Sequence, residues 1–388
     1  MRYTVTFDAL LAAVSLVLSA PVSVRAIPFP HDHEFPASHV NLSEISHLPA
    51  NVSRRAAPPL TIPLVPFGNH GLDQGYTALV KVGTNPVAFK VLMDSGSSEF
   101  WLISDKCPQR GRRNVIGPST SQTVRPFGRQ WSTGYEDKST LAGAVVTDTV
   151  IVADRTLRGI PFGTADTLTN SLVNSPYDGI MGFGFSSVSQ TGGPTILEAL
   201  SITGLIPAAI SGWKLSRSAD HGNDGEVSLG GENLARFFQE KQVFVPNLSG
   251  GVSKHWQFDI DGISFNGRRV TPGRIGVVDT GTDALYAHPV DALTVNSLIS
   301  GVVRLQDGSF AFPCNARPKL SITINKVAFD IDPRDITGPP VINGFCQSNI
   351  LPDPTRQPGE WLIGIPFLKN VYLTLDVRRD RMGFAKLR

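Results

Sequence analysis

The chain has 388 residues, more than one hydrophobic core usually serves, so two packed halves are expected. Its formal net charge is only +2, with 18% charged residues, and no stretch is long or basic enough to follow a phosphate backbone. Nucleic-acid partners are therefore excluded.

The N-terminal region has the pattern of a secretion signal. Arg2 precedes an apolar stretch at 9–20, and small or apolar residues follow at 24–26, which predicts a signal peptide over residues 1–26. The alternative is a membrane anchor, but the apolar run is shorter than the roughly 20 residues of a spanning helix. No hydrophobic tail follows Phe384, so no lipid anchor is expected. We expect a secreted, extracellular protein with no membrane partner.

Residues 27–55 have the composition of a prosegment. They are rich in Pro, Ser and His, lack apolar periodicity, and end in Arg54 and Arg55, a dibasic pair suited to proteolytic processing. The alternative is a disordered linker in which the arginine pair is incidental. The His-Asp-His tract at 31–33 resembles a metal ligand set, but such a tract in an unfolded segment is more often unliganded.

From Leu60 onward, short β-branched runs alternate with Gly, Pro, Asn and Asp, which is typical of an all-β chain. No repeat of fixed length is present, which disfavours a propeller or solenoid. Apolar residues recur at helical spacing in only two short segments. The predicted strands include 76–82, 89–93, 144–152 and 320–324, and the predicted helices are 194–200 and 289–299.

The chain has three cysteines, so in an oxidising compartment one of them has no partner for an intramolecular disulfide. Cys314 and Cys346 bracket a strand-rich stretch and are the pair we expect to form a disulfide, whereas Cys107 stands alone.

Three Asn-x-Ser glycosylation sequons begin at Asn41, Asn51 and Asn247. Only Asn247 lies beyond the predicted processing site, so it is the candidate for glycosylation in the mature protein.

One motif occurs twice, about half the chain length apart. In residues 91–97 and again in 276–282, an apolar strand is followed by Asp, a hydroxyl residue, Gly and a second hydroxyl residue. A single copy would be read as a turn after a strand. One copy in each half instead predicts that Asp94 and Asp279 act together.

Two adjacent carboxyls supply what amide hydrolysis by water needs, a base for the water and an acid for the amide. Because both cannot ionise cheaply when close together, they share one proton and titrate as a coupled unit. The glycine after each aspartate permits a tight turn. We expect Ser97 and Thr282 to donate hydrogen bonds that orient the two carboxylates.

With these motifs, the chain resembles the pepsin family of aspartic proteases, in particular its secreted fungal members. The resemblance runs from about Tyr76 to the C-terminus, and further matching segments lie at 101–102, 177–184, 225–231, 361–368 and 383–385. It implies an all-β, bilobal pepsin-like acid protease fold with a central cleft and a β-hairpin flap. The implied lobes are residues 56–243, with the flap, and 244–388.

The resemblance also implies roles for individual residues. Asp94 and Asp279 would bind the lytic water, and Ser95 and Thr280 would brace their loops through crossed hydrogen bonds. The disulfide of the family's second lobe coincides with Cys314 and Cys346, while the partner of its first-lobe disulfide is missing, which leaves Cys107 free.

In the implied flap, Tyr135 matches the family's flap tyrosine and Trp101 the indole that holds its hydroxyl. Glu136 and Lys138 replace two usual glycines, which predicts a different turn or a stiffer, less active flap. The alternative is a solvated charged hairpin without catalytic consequence. Asp137 matches a position where an acidic residue accompanies acceptance of Lys, so we expect Lys or Arg to be tolerated beside the scissile bond.

Two further acidic residues depart from the family pattern. Asp283 stands where Ser or Thr is usual, and a third carboxylate near the dyad would raise its apparent pKa values and shift the pH optimum toward neutrality. The alternative is an outward-facing carboxylate bonded to nearby backbone. Glu99 replaces an amide, and we expect it at the surface.

The competing function is a non-catalytic pepsin-like protein that binds a partner or inhibits an enzyme. Such relatives usually lose an aspartate or its hydroxyl neighbours, and both sets are present here. A serine, cysteine or zinc hydrolase is disfavoured because no Gly-x-Ser-x-Gly or His-Glu-x-x-His motif occurs. The sequence thus predicts a monomeric aspartic endopeptidase that acts on polypeptide substrates at acidic pH, with no metal and no organic cofactor.

Overall fold

The computed structural model describes residues 59–69, 71–250 and 254–388, together with the backbone of Ala26 and Ile27. Apart from those two residues, the predicted signal peptide and prosegment lie outside the described residues, as do Asn41, Asn51 and the Arg54–Arg55 pair. Within the described residues strands dominate and helices are short, so the predicted all-β, two-lobed architecture is confirmed.

The first half of the chain forms a ten-stranded sheet. Its strands lie in the order Ala26–Ile27, Arg125–Tyr135, Thr140–Val152, Arg155–Ala165, Phe100–Ile103, Gly179–Gly182, Phe89–Asp94, Leu72–Val82 and Val65–Asn69, and Thr167–Leu168 pairs beside this path. Val80 to Val82 also pair with Val150 to Val152, so the sheet closes on itself. This closure encloses a core to which both faces of the central strands contribute.

The second half forms three smaller sheets. A five-stranded sheet contains Gln257–Ile260, Arg274–Val278, Glu360–Ile363, Leu285–Ala287 and Ile350–Pro352. One four-stranded sheet contains Arg268–Arg269, Gly262–Phe265, Leu320–Ile324 and Val327–Ile331, and the other contains Val303–Arg304, Phe310–Pro313, Phe345–Ser348 and Thr337–Ile342.

A six-stranded sheet is shared by the two halves. Its order is Val243–Pro246, Arg381–Lys386, Val371–Asp376, Ile210–Lys214, Glu226–Leu229 and Leu60–Pro63. The predicted lobe boundary between 243 and 244 falls inside its first strand, and the boundary stays a prediction. The indole N–H of Trp256 also donates to the carbonyl of Phe183 across the halves, at 2.9 Å, within the buried core. The two halves are therefore joined by backbone pairing and by packing.

The described residues contain few helices, and capping residues or prolines mark where the two predicted ones begin. The α-helices are Ile196–Ile202, Pro289–Asn296, Pro333–Ile336 and Ile365–Leu368, and the 3-10 helices are Pro108–Arg110, Asn170–Asn174, Ser186–Val188, Ser218–Asp220 and Gln239–Lys241. The helix predicted at 194–200 begins two residues later because Thr195 is its N-cap, with a capping box to Glu198. The helix predicted at 289–299 keeps proline at its first position and ends at Asn296.

The four predicted strands all lie within observed strands. Leu320–Ile324 has the predicted bounds and alternates buried with half-buried residues, as a strand with one face on the core does. Phe89–Asp94 instead buries almost every residue, because it pairs with strands on both sides at the centre of its sheet.

The expected disulfide is present between Cys314 and Cys346. Cys107 is buried and forms no disulfide.

Candidate active site

Each aspartate of the repeated motif lies where a buried strand ends. Asp94 is the last residue of Phe89–Asp94, which runs parallel to Gly179–Gly182. Asp279 directly follows Arg274–Val278, which runs parallel to Glu360–Ile363. Both carboxyl-bearing residues are fully buried. The same local topology is therefore built once in each half.

The two aspartate loops are tied together by crossed hydrogen bonds. The backbone N–H of Ser95 donates to Oγ1 of Thr280, and the backbone N–H of Thr280 donates to Oγ of Ser95, both at 2.9 Å. The Thr280 hydroxyl in turn donates to the carbonyl of Met93 at 2.9 Å. All of these groups are buried, so each loop satisfies the polar groups of the other.

Each carboxylate is oriented by its own loop. In the first half, the N–H of Gly96 donates to Oδ1 of Asp94 at 2.8 Å and the Ser97 hydroxyl donates to Oδ2. In the second half, the N–H of Gly281 donates to Oδ1 of Asp279 at 2.8 Å. The Thr282 hydroxyl donates to Oδ2 at 2.6 Å, which completes the matching pair of bonds.

The glycines of the two motifs allow the carboxyls to approach each other. A Cβ atom on Gly96 would lie 2.6 Å from the carboxyl carbon of Asp279, and one on Gly281 would lie 2.7 Å from Oδ1 of Asp94. Side chains at these positions would displace the opposite aspartate. The spacing of Asp and Gly in the sequence thus encodes contact between the loops.

Burial raises the pKa of both aspartates. Desolvation is the main cause at Asp94, and the neighbouring charge of Asp279 raises its pKa further. At Asp279 desolvation raises the pKa, while hydrogen bonds from Thr282 and Asp94 partly oppose it. The arrangement favours a single shared proton, which is the protonation state that acid–base hydrolysis needs.

The predicted flap is the hairpin between Arg125–Tyr135 and Thr140–Val152. The indole N–H of Trp101 donates to the Tyr135 hydroxyl at 2.7 Å. Both residues are almost completely buried. The two aromatic residues named from the sequence are therefore brought together as the resemblance implied.

The flap tip uses a turn that does not need glycine. Lys138 adopts a left-handed backbone with φ of 64°, and its N–H donates to the carbonyl of Tyr135 at 2.9 Å. Its own carbonyl accepts from Nδ2 of Asn170 at 2.7 Å. The Asp137 carboxylate accepts bonds from Ser139 and from the Ser171 hydroxyl, so it fastens the tip to a neighbouring turn. The predicted tolerance for Lys or Arg stays a prediction.

Glu99 is buried, contrary to the expectation from the sequence. The sequence predicts a surface position, but only 1% of the residue is exposed. Its carboxylate accepts from the backbone N–H of Gln190 at 2.8 Å, and desolvation raises its pKa. The charge of Glu99 also adds to desolvation in raising the pKa of Tyr135. This side chain therefore belongs to the surroundings of the flap tyrosine.

Asp283 is half-buried on the second loop. Its charge adds to desolvation in raising the pKa of Tyr286, which lies in the next strand, Leu285–Ala287. The predicted effect of Asp283 on the dyad and on the pH optimum stays a prediction.

The predicted glycosylation site has a specific environment. Nδ2 of Asn247, the atom that would carry a sugar, donates to Oδ1 of Asp380 at 2.9 Å. Glycosylation at Asn247 stays a prediction.

Arg356 lies at the candidate site, although no sequence pattern indicates it. Its guanidinium forms an ion pair with Glu136 at the flap tip, although the two residues belong to different halves. The sequence offered little signal, because Arg356 lies in a polar loop with ordinary acidic neighbours and its partner is remote. Only the folded chain identifies the contact.

Among the described residues, no cluster of His, Cys, Asp or Glu has the arrangement of a metal site. Within the same ranges, no helix is both long and apolar enough to cross a bilayer.

Comparison with known proteins gives a consistent result. A profile of the eukaryotic aspartyl protease family matches residues 75–387, which include both aspartate motifs and the flap. The chain is 30% identical to the probable aspartic-type endopeptidase CTSD of Arthroderma benhamiae, over 89% of this chain and 67% of that protein. It is 29% identical to the aspartic-type endopeptidase ctsD of Aspergillus fumigatus, over 84% of this chain and 69% of that protein. It is also 29% identical to pepsin B of Canis lupus familiaris, over 82% of this chain and 83% of that protein.

Proposed function

Because this chain belongs to the eukaryotic aspartyl protease family and is a hydrolase of the aspartic-endopeptidase type, we propose that it is a secreted enzyme that cleaves polypeptides at acidic pH with Asp94 and Asp279. The observation that carries the proposal is the pair of buried carboxyls, each against the glycine of the opposite loop.

The chemistry follows from one proton shared by the two carboxyls. The ionised carboxyl takes a proton from a water molecule as the water oxygen attacks the peptide carbonyl carbon, while the protonated carboxyl hydrogen-bonds to the carbonyl oxygen. Transfer of a proton to the amide nitrogen then lets the C–N bond break. Ser95, Ser97, Thr280 and Thr282 hold the dyad in position, as the hydrogen bonds around them support. Tyr135, which Trp101 positions through its indole N–H, would contact the substrate together with Asp137 and Asp283.

An acidic working range follows from the need for that single proton. Burial raises the pKa of both carboxyls, so the dyad keeps a proton under acidic conditions and loses it as the pH rises. The fully ionised dyad has no acid to give to the leaving amide, and activity falls.

Secretion is supported by two independent features. Arg2 and the apolar stretch at 9–20 have the pattern of a signal peptide. The Cys314–Cys346 disulfide is typical of an oxidising compartment. Processing after Arg55 would release the mature chain.

The decisive experiment is expression of the full chain in a fungal secretory host, with assay of the secreted protein on a denatured substrate at acidic pH. We expect cleavage that a transition-state-analogue inhibitor blocks. Asp94→Asn should lower kcat by at least about a thousandfold while the protein stays folded, because the amide cannot exchange a proton with water. Asp154→Asn, at an exposed surface ion pair, is the control and should retain full activity.

A folded, secreted wild-type protein with no inhibitor-sensitive cleavage would instead identify a non-catalytic binding protein.

A further inference from the structure

The flap tip contacts the opposite half of the molecule through an ion pair. Glu136 directly follows the flap strand Arg125–Tyr135, and its Oε1 contacts Nη2 of Arg356. Arg356 lies in the loop between Ile350–Pro352 and Glu360–Ile363, two strands of the sheet that supports Asp279. The charge of Glu136 is also close enough to raise the pKa of Asp279. The contact therefore links the flap tip to the half of the molecule that carries Asp279.

Arg356 is held in place without help from the flap. Its side chain is only 4% exposed, its Nη1 contacts Oε1 of Glu360 at 2.8 Å, and its Nε contacts Oδ2 of Asp353 at 3.1 Å. Both acidic partners lie in or next to its own loop. Loss of Glu136 would thus leave the guanidinium paired, so this contact can break without exposing an isolated buried charge.

The neighbouring charged residue of the flap does not compete for Arg356. Asp137 is occupied by Ser139 and Ser171 on its own side of the cleft. The ion pair between Glu136 and Arg356 is therefore a charged contact between the flap tip and the second half that Asp137 does not share.

We propose that the Glu136–Arg356 ion pair is an interlobe latch, which holds the flap closed and must break before a substrate enters. The proposal rests on the proposed function, because an endopeptidase binds an internal segment with chain on both sides. Such a segment must be laid into the cleft from the flap side. A bridge from the flap tip to the opposite half blocks that path.

A latch changes rates more than affinity. If the pair closes the cleft both before and after binding, its loss speeds entry and escape alike, and the dissociation constant changes little. A side chain that merely contacts the ligand behaves differently, because its removal raises the dissociation rate and leaves the association rate unchanged.

The test is Glu136→Gln in the full secreted and processed protein, with a fluorescent statine peptide as the probe. Stopped-flow binding should show association and dissociation rates that both rise about tenfold, as expected for a partly exposed charge-assisted bond, with an affinity within about threefold of wild type. High salt should speed association in wild type but not in the variant. Glu360→Gln is the matched control, because it removes another Arg356 partner without touching the flap, and it should leave both rates unchanged.

Hydrogen exchange of residues 135–139 tests, independently of ligand binding, whether the ion pair restrains the flap tip. We expect faster exchange of the backbone N–H groups of Tyr135 and Lys138 in Glu136→Gln than in Glu360→Gln. Unchanged exchange together with an unchanged association rate would overturn the latch. Failure of the probe to bind any form, with altered flap exchange, would contradict the proposed function and leave the latch supported.

Discussion

Glu99 illustrates how the environment of one residue changes its chemistry. The buried carboxylate has a raised pKa because desolvation outweighs the hydrogen bonds from Gln190, its own backbone and Ser98. A raised folded-state pKa means that the native protein binds more protons than the unfolded chain above the ordinary value of 4.5. Glu99 therefore lowers the free energy of unfolding as the pH rises through that value toward the folded-state pKa.

Substitution of Glu99 by Gln tests this cause. The amide keeps the shape and the acceptor oxygen but does not ionise, so we expect Glu99→Gln to gain stability relative to wild type as the pH rises from 4 to 7. Urea unfolding at a series of pH values measures the difference. Glu240→Gln, at an exposed position, serves as the control. Parallel stability curves for Glu99→Gln and wild type would contradict the assignment.

At the scale of secondary structure, the flap hairpin shows how a turn forms without its usual glycines. Lys138 takes the left-handed conformation that glycine would adopt more cheaply. The bond from Asn170 to its carbonyl and the fastening of Asp137 to Ser171 offset that cost. The tip is thus held by specific side-chain contacts, and the effect of Glu136 and Lys138 on activity stays a prediction.

The Cys314–Cys346 disulfide also acts at the scale of secondary structure, because it links two strand regions. It joins the residue after Phe310–Pro313 to Phe345–Ser348 and closes a loop with a sequence separation of 32. Replacement of Cys314 and Cys346 by Ser should lower the free energy of unfolding by about 4 kcal/mol, because the unfolded chain regains loop entropy. Urea unfolding at constant pH provides the measurement.

Cys107→Ser is the control for loss of a thiol without loss of a crosslink. Equal destabilisation by the single and the double substitution would show that the disulfide contributes nothing beyond its side chains.

On the scale of the whole molecule, the candidate active site depends on the contact between the two halves. The hydroxyl of Thr280 accepts from one backbone group of the first loop and donates to another. The shared six-stranded sheet and the Trp256–Phe183 bond hold the same interface on a larger scale. Displacement of one half would separate the carboxyls.

Thr280→Val should therefore cost stability and activity together. Valine has nearly the same shape, but the N–H of Ser95 and the carbonyl of Met93 lose their buried partner, which costs about 3 kcal/mol in unfolding free energy. Because the dyad loses its brace, kcat should fall more than KM rises. Thr280→Ser keeps the hydroxyl and should restore most of both. Normal kcat in the valine variant would show that the crossed bonds do not position the dyad.

The sequence by itself determined the family, the all-β class and the identity of the paired motifs, because these depend on local patterns. The repeated motif, an apolar strand followed by Asp, a hydroxyl residue and Gly, can be recognised within a few residues. The same holds for a capped helix such as Ile196–Ile202 and for an alternating strand such as Leu320–Ile324. The match to the eukaryotic aspartyl protease family confirms the resemblance seen in those patterns.

Only the tertiary structure decided the burial of Glu99 and the pairing of Glu136 with Arg356. Both depend on which remote segments pack against the residue, and no local pattern records that. A charged side chain in a sequence is equally compatible with solvent and with a buried partner, since the cost of desolvation is set by its neighbours in space.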